Sequence, residues 1–140
     1  MRKGEAMPLR LKTFQVGAPA KRGDGLRIGT TRRPPRGVPR DRWQADGYFD
    51  VWFPVVAPTL TFFHRFRGRD LNDPAQLRVV LDAYEREVLK NTESRQAIHL
   101  LAEMAKRTAI SIGCFCADER RCHRSRLKLL IERAATGKPL

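Results

Sequence analysis

The stretch at residues 108–130, TAISIGCFCADERRCHRSRLKLL, constrains this chain more than any other. Its apolar run Ala109-Ile110-Ser111-Ile112-Gly113 is short and β-branched, which predicts a buried strand. Cys114, Phe115 and Cys116 continue that run, and the charged loop Asp118-Glu119-Arg120-Arg121 follows. Cys122, His123, Arg124 and Ser125 then lead into a helix whose apolar positions are Leu127, Leu130, Ile131 and Ala134. His123 lies four residues before Leu127 and so turns inward, toward the strand end. A strand running into a helix through a polar loop is the unit of an α/β layer, and in open α/β sheets ligands bind where strands end and helices begin.

The remaining elements agree with that class. The segment LRLKTFQVG predicts a first strand, with Leu9, Leu11, Thr13 and Val16 inward and Arg10 and Lys12 on a solvated face. Leu26-Arg27-Ile28 predicts a second, after the turn-rich GAPAKRGDG. Trp43, Tyr48, Phe49, Val51, Trp52 and Phe53 form an aromatic patch that reads as core rather than as a stacking platform, and Pro54 to Pro58 reads as extended. TLTFFHRF suggests a short helix, with His64 structural or on the surface. Asp73 as N-cap, Pro74 at the first helical position and Gln76 at the third open a helix with the stripe Leu77, Val80, Leu81, Tyr84 and Val88. That helix ends near Lys90-Asn91, and Ser94 is placed to cap another through Arg107. The expectation is a small single α/β domain, its sheet partly parallel and flanked by helices. Residues 1–25 are a basic N-terminal segment carrying the first strand, residues 1–8 a flexible start, and residues 26–140 the α/β body.

The net charge is +13, so polyanions are natural partners. It is uneven: residues 1–42 hold 12 Lys/Arg against 3 Asp/Glu, a net +9, and the rest hold 16 against 12, a net +4. No run of 18 apolar residues predicts a membrane span, and no apolar stretch follows the basic start as in a secretory signal. Three clustered cysteines argue against a disulfide framework and for reduced thiols, hence a cytoplasmic location. The sequence does not fix the oligomeric state.

Two loops carry the candidate chemistry. In GTTRRPPRGVPR, the hydroxyls of Thr30 and Thr31 and the guanidinium forks of Arg32 and Arg33 suit phosphate or carboxylate oxygens. The cysteine loop is open to several readings. The N-terminal amides of the last helix, with Arg121, Arg124 and Ser125, suit an anion: a phosphate-bearing ligand, a nucleotide or nucleic acid. Cys122, at a helix N-terminus among arginines, would be the reactive thiol of an enzyme if it is exposed, with His123 as acid/base. Cys114, Cys116, Cys122 and His123 would supply a Cys3His set for zinc, although adjacent Cys-His ligands are awkward; no cofactor is otherwise expected. Cys114 and Arg120 have the C-x5-R spacing of cysteine phosphatases, but the loop lacks glycine and carries Asp118 and Glu119, which repel a dianion. A resting Cys114–Cys116 disulfide is disfavoured, since Cα atoms two apart on a strand are separated by about 6.5–7 Å. The plainest alternative makes Cys114 and Cys122 small buried residues, His123 the maker of one core hydrogen bond, and the arginines partners of nearby acids.

The segment CFCADERRCHRS resembles the C-terminal signature of the domain-of-unknown-function family 488: an apolar strand, Cys, a polar loop, then Cys-His-Arg-Ser opening a helix. Cys114, Cys122, His123, Arg124 and Ser125 match it, with Cys116 where an acidic residue is common. LRIGTTRRPPRGVPRDRW resembles the N-terminal strand and arginine loop of one branch of that family. The resemblance runs from about Leu26 to Leu130. It implies a compact α/β fold with a site at these two loops and no assigned reaction.

Overall fold

In the computed structural model, which describes residues 8–140, four parallel strands lie in the order β1-β4-β2-β3. They are β1 (Leu11–Gln15), β2 (Leu26–Gly29), β3 (Val51–Trp52) and β4 (Ile110–Cys114). The helices are α1 (Leu60–Arg65), α2 (Pro74–Lys90), α3 (Thr92–Arg107) and α4 (His123–Ala135). The α/β fold is therefore as expected, with every strand pair parallel. The flexible start assigned to residues 1–8 lies, Pro8 apart, outside the described residues.

β4 inserts between β1 and β2, pairing Phe14 with Gly113 on one side and Gly29 with Gly113 on the other. The chain steps outward from β2 to β3, then returns through α1, α2 and α3 to lay β4 in the centre. Its direction of winding reverses between β2 and β4, so the crevice beyond their C-terminal ends is where a ligand is expected. Both suspected loops leave the sheet there: residues 30–36 follow β2 and residues 115–122 follow β4.

One sheet face carries Leu11, Ile28, Ile110 and Ile112, which pack with Tyr84, Val88, Ile98, Leu101, Ala105, Leu127 and Ile131 of the helices. β4 is buried along its length apart from Cys114, consistent with its β-branched run. The second face is not the solvated one that Arg10 and Lys12 suggested. Phe14 and Val16 pack there with Trp43 and Phe49, and the buried Arg27 guanidinium lies 4.2 Å from the Phe14 ring centre. Arg27 also donates to the carbonyls of Ala18 and Gly47, tying down the turn-rich connection. Glycine is needed beneath this aromatic layer: a Cβ on Gly113 would come within 2.3 Å of the Phe14 ring, and one on Gly29 within 2.2 Å of Phe49. The aromatic patch is thus core.

Local chemistry accounts for the helix boundaries. Asp73 accepts from the Ala75 amide, and Gln76 donates to Asp73 while accepting from the Asp70 amide rather than completing the box on Asp73 itself. Asn91, not Ser94, caps α3, because the Ser94 hydroxyl is buried and donates to the Val55 carbonyl. Pro54–Val56 is a turn of 3-10 helix rather than extended chain, with Pro54 at its first position and its turn closed by the Ala57 amide on the Pro54 carbonyl. No helix among the described residues is long and apolar enough to cross a membrane.

Candidate functional site

Thr30 joins the ends of the two central strands to α4. Its amide and its hydroxyl both donate to the Gly113 carbonyl, at 2.8 and 2.9 Å. Its own carbonyl lies 2.9 Å, and its hydroxyl oxygen 3.1 Å, from Nε2 of His123. A carbonyl can only accept, so Nε2 carries the imidazole proton and Nδ1 keeps a lone pair. The Cys122 sulfur is 3.7 Å from that Nδ1. His123 stacks on Tyr84 at 5.1 Å and is buried, and burial pulls its pKa down to about 4, so the ring is neutral. This is the inward-facing histidine expected from its spacing to Leu127.

The three thiols meet at the mouth of this arrangement. β4 ends at Cys114, so Cys116 is in the loop and not on the strand; the chain bends enough to bring their sulfurs within 3.9 Å. Cys122 is the N-cap of α4, and all three sulfurs lie within 4.8 Å of one another. They are free thiols. Donation from Cys116 and then from Cys122 holds the Cys114 thiol well below the ordinary range, while the same contacts with Cys114 push Cys116 and Cys122 up. The reactive thiol expected at Cys122 depended on exposure, and Cys122 is 1% exposed. The sulfurs that reach solvent are those of Cys114 and Cys116, so the favoured thiolate is a residue of the strand end, not of the helix. The cluster that forms is of three cysteines: His123, whose Nδ1 is 3.7 Å from the Cys122 sulfur, brings neither ring nitrogen within 4.8 Å of all three sulfurs.

Beyond the strand ends lies a cavity of about 1230 Å³. Thr31, Arg32, Arg33, Pro34, Pro35, Arg36 and Gly37 form one wall, Cys114, Phe115, Cys116 and His123 another, and Tyr48, Leu60, Phe63, His64 and Arg67 the rest. Among the described residues no carboxylate lines it. Arg33, Arg36 and Arg67 are exposed and form no ion pair among the described residues. Phe63 and Phe115 present rings that are 49% and 46% exposed.

The expected anion-binding residues divide. Thr31, Arg32 and Arg33 line the cavity; Thr30, Arg121, Arg124 and Ser125 do not. Arg32 spends its guanidinium on the carbonyls of Pro54, Ala57 and Pro58, which makes it a clamp on the 54–58 segment. Thr31 donates to the Arg33 carbonyl and Ser125 to the Cys122 carbonyl, both local turn bonds. Arg121 is exposed, with its Nε 3.6 Å from Asp118. Arg120 is 87% exposed at its side chain beside the same aspartate, so the C-x5-R spacing does not bring a guanidinium to Cys114. Arg124 is buried, and donates to the Cys116 carbonyl at 2.7 Å.

The residues missed from the sequence come from α1 and the turn after it. Leu60, Phe63, His64 and Arg67 follow the spacing i, i+3, i+4, i+7, one face of a helix, while Phe62 and Phe66 take the core. That second stripe was a usable signal, because it is apolar at two positions and basic at another.

No curated protein matches this chain, and no solved structure does. One family model matches residues 11–135, covering the whole sheet, the cavity and α4: that of DUF488-N3a, described as the Active DUF488-N3 subclade. The Cys114 to Ser125 signature, the arginine loop after β2 and this match agree, and the chain belongs to the DUF488-N3a family.

Proposed function

We propose that the cavity beyond β2 and β4 binds a nucleotide unit, either a free mononucleotide or one residue of a single strand. The observation that carries this reading is the composition of the lining among the described residues: three arginines without acidic partners, no carboxylate, and two exposed phenyl rings on one concave surface. Guanidinium groups at the rim suit phosphate oxygens, and exposed rings suit the face of a base. The site lies at the reversal point of a parallel sheet, where such ligands collect. Arg33, Arg36 and Arg67 supply the charge. Thr30 braces the floor from behind and fixes the ring of His123, which forms part of the wall. The family description, with its word Active, is compatible with chemistry on the bound ligand, and Cys114 and Cys116 are the thiols that line the cavity.

Calorimetric titration at low salt tests the reading, with a mononucleotide, the matched nucleoside and inorganic phosphate in parallel. The expected result is that the mononucleotide binds at least tenfold more tightly than either part alone. Single-stranded oligonucleotide in a further arm separates the sources: a strand ligand binds more tightly than the mononucleotide and with a steep dependence on salt. Absence of binding by mononucleotide and oligonucleotide at low salt contradicts the proposal.

A further inference from the structure

We infer that Cys114, Cys116 and Cys122 form a three-thiolate zinc site, with the ion's fourth position open to the cavity. The inference stands on the thiols themselves and does not require the cavity to take a nucleotide.

Geometry is the first support. Zinc bonds thiolate sulfur at about 2.3 Å in a tetrahedron, which sets sulfur–sulfur separations near 3.8 Å. Cys114 and Cys116 stand at 3.9 Å, and no pair in the trio exceeds 4.8 Å. Movements of under an ångström in the loop would complete the set. Residues two apart on an extended chain share a face but stand about 6.5–7 Å apart, whereas here the chain bends after β4 and brings both sulfurs to the same point as the sulfur at the N-cap of α4.

Charge is the second and independent support. Arg124 is 3% exposed, its Nε has no hydrogen-bond partner, and no carboxylate pairs with it among the described residues. Its NH1 group holds the carbonyl of Cys116. A buried guanidinium calls for a nearby anion. Three thiolates around a dication carry a net charge of −1, which would answer Arg124, and the N-terminus of α4 favours the same sign.

His123 is not part of the ligand set, because neither of its ring nitrogens lies within 4.8 Å of all three sulfurs; Nδ1 is 3.7 Å from the Cys122 sulfur alone among the sulfur contacts of the ring. Cys114 and Cys116 line the cavity while Cys122 lies behind them, so an ion held by all three turns its remaining position toward the cavity. A site with three protein ligands and one exchangeable position is the form that zinc takes where it meets a substrate or water. Binding releases the thiol protons, so affinity falls as pH falls.

The test uses the full chain, reduced and stripped of metal, titrated with zinc and followed by native mass spectrometry and by alkylation of the cysteines. The expected result is one zinc per chain, with all three cysteines protected together. Cys116→Ser, at an exposed position, should weaken zinc binding on the order of a hundredfold or more, while His123→Gln retains it. Circular dichroism verifies the fold of each variant. The alkylation pattern of the unaltered protein decides the question even if a variant fails to fold. Failure to bind zinc at micromolar concentration, protection of fewer than three cysteines, or undiminished binding by folded Cys116→Ser would overturn the inference, as would loss of zinc from folded His123→Gln.

Discussion

Arg32 and Arg33 are neighbours in sequence with opposite duties. Arg32 gives its guanidinium to three backbone carbonyls of the 54–58 segment, whereas Arg33 is exposed and extends along the cavity wall. Removing donors from half-buried carbonyls carries a cost, so Arg32→Ala should lower stability by roughly 2 kcal/mol in urea unfolding. Arg33→Ala should stay within about 0.5 kcal/mol of the parent, as surface substitutions do, and weaken ligand binding instead. Equal stability losses for the two would contradict the division of roles. Gly113 makes a second contrast with its surroundings. It is a strand residue with ordinary backbone angles, and its lack of a side chain matters only because Phe14 lies over it. Gly113→Ala should therefore cost about 1–3 kcal/mol through overpacking, read from the same unfolding curves. Neither point was visible in the sequence: Arg32 and Arg33 are the same residue type side by side, and the partner over Gly113 is almost a hundred positions away.

At the scale of elements, legibility followed the range of the interactions. α2, α3, β4 and α4 were readable because caps, 3.6-residue stripes and a β-branched run are local signals, and the structure places them within a few residues of expectation. Ser94 misled because its hydroxyl answers a carbonyl 39 positions away, leaving the cap to Asn91. The inner face of β1 was clear from Leu11, but the burial of Phe14 depends on Arg27, Trp43 and Phe49 arriving from elsewhere. The site was half legible. Its two loops were found from their arginines, cysteines and histidine, while the wall that α1 supplies was not: the stripe of Leu60, Phe63, His64 and Arg67 marks it, but Phe62 and Phe66 form a competing apolar stripe on the same short segment. The two stripes of α1 can be separated by substitution. Phe62→Ala removes a core side chain and should cost about 3 kcal/mol of stability. Phe63→Ala removes an exposed ring and should leave stability nearly unchanged, while weakening nucleotide binding by about 1–2 kcal/mol if it stacks on the base. Binding that is indifferent to Phe63 would remove the stacking contact.

For the whole molecule, parallel strands and charge act together. Placing β4 between β1 and β2 makes one crevice at the C-terminal edge, and the chain lines it with arginines from the most basic part of its sequence. A net charge of +13 draws anions toward the entire surface, so binding alone does not identify the cavity as the site. The discriminating quantity is how much of the binding depends on the cavity's own arginines. The measurement is therefore a calorimetric titration of a mononucleotide against the parent protein and the Arg33→Ala/Arg36→Ala variant, repeated across a range of salt concentrations. Losing two rim charges out of a net +13 changes the overall field little, but it removes two of the three exposed arginines of the cavity, the groups proposed to meet the phosphate. The expected result is a loss of affinity on the order of tenfold or more in the double variant, with most of the parent's salt dependence gone. A double variant that binds as the parent does, with the same response to salt, would show that the anion sits elsewhere and would contradict the cavity as the functional site.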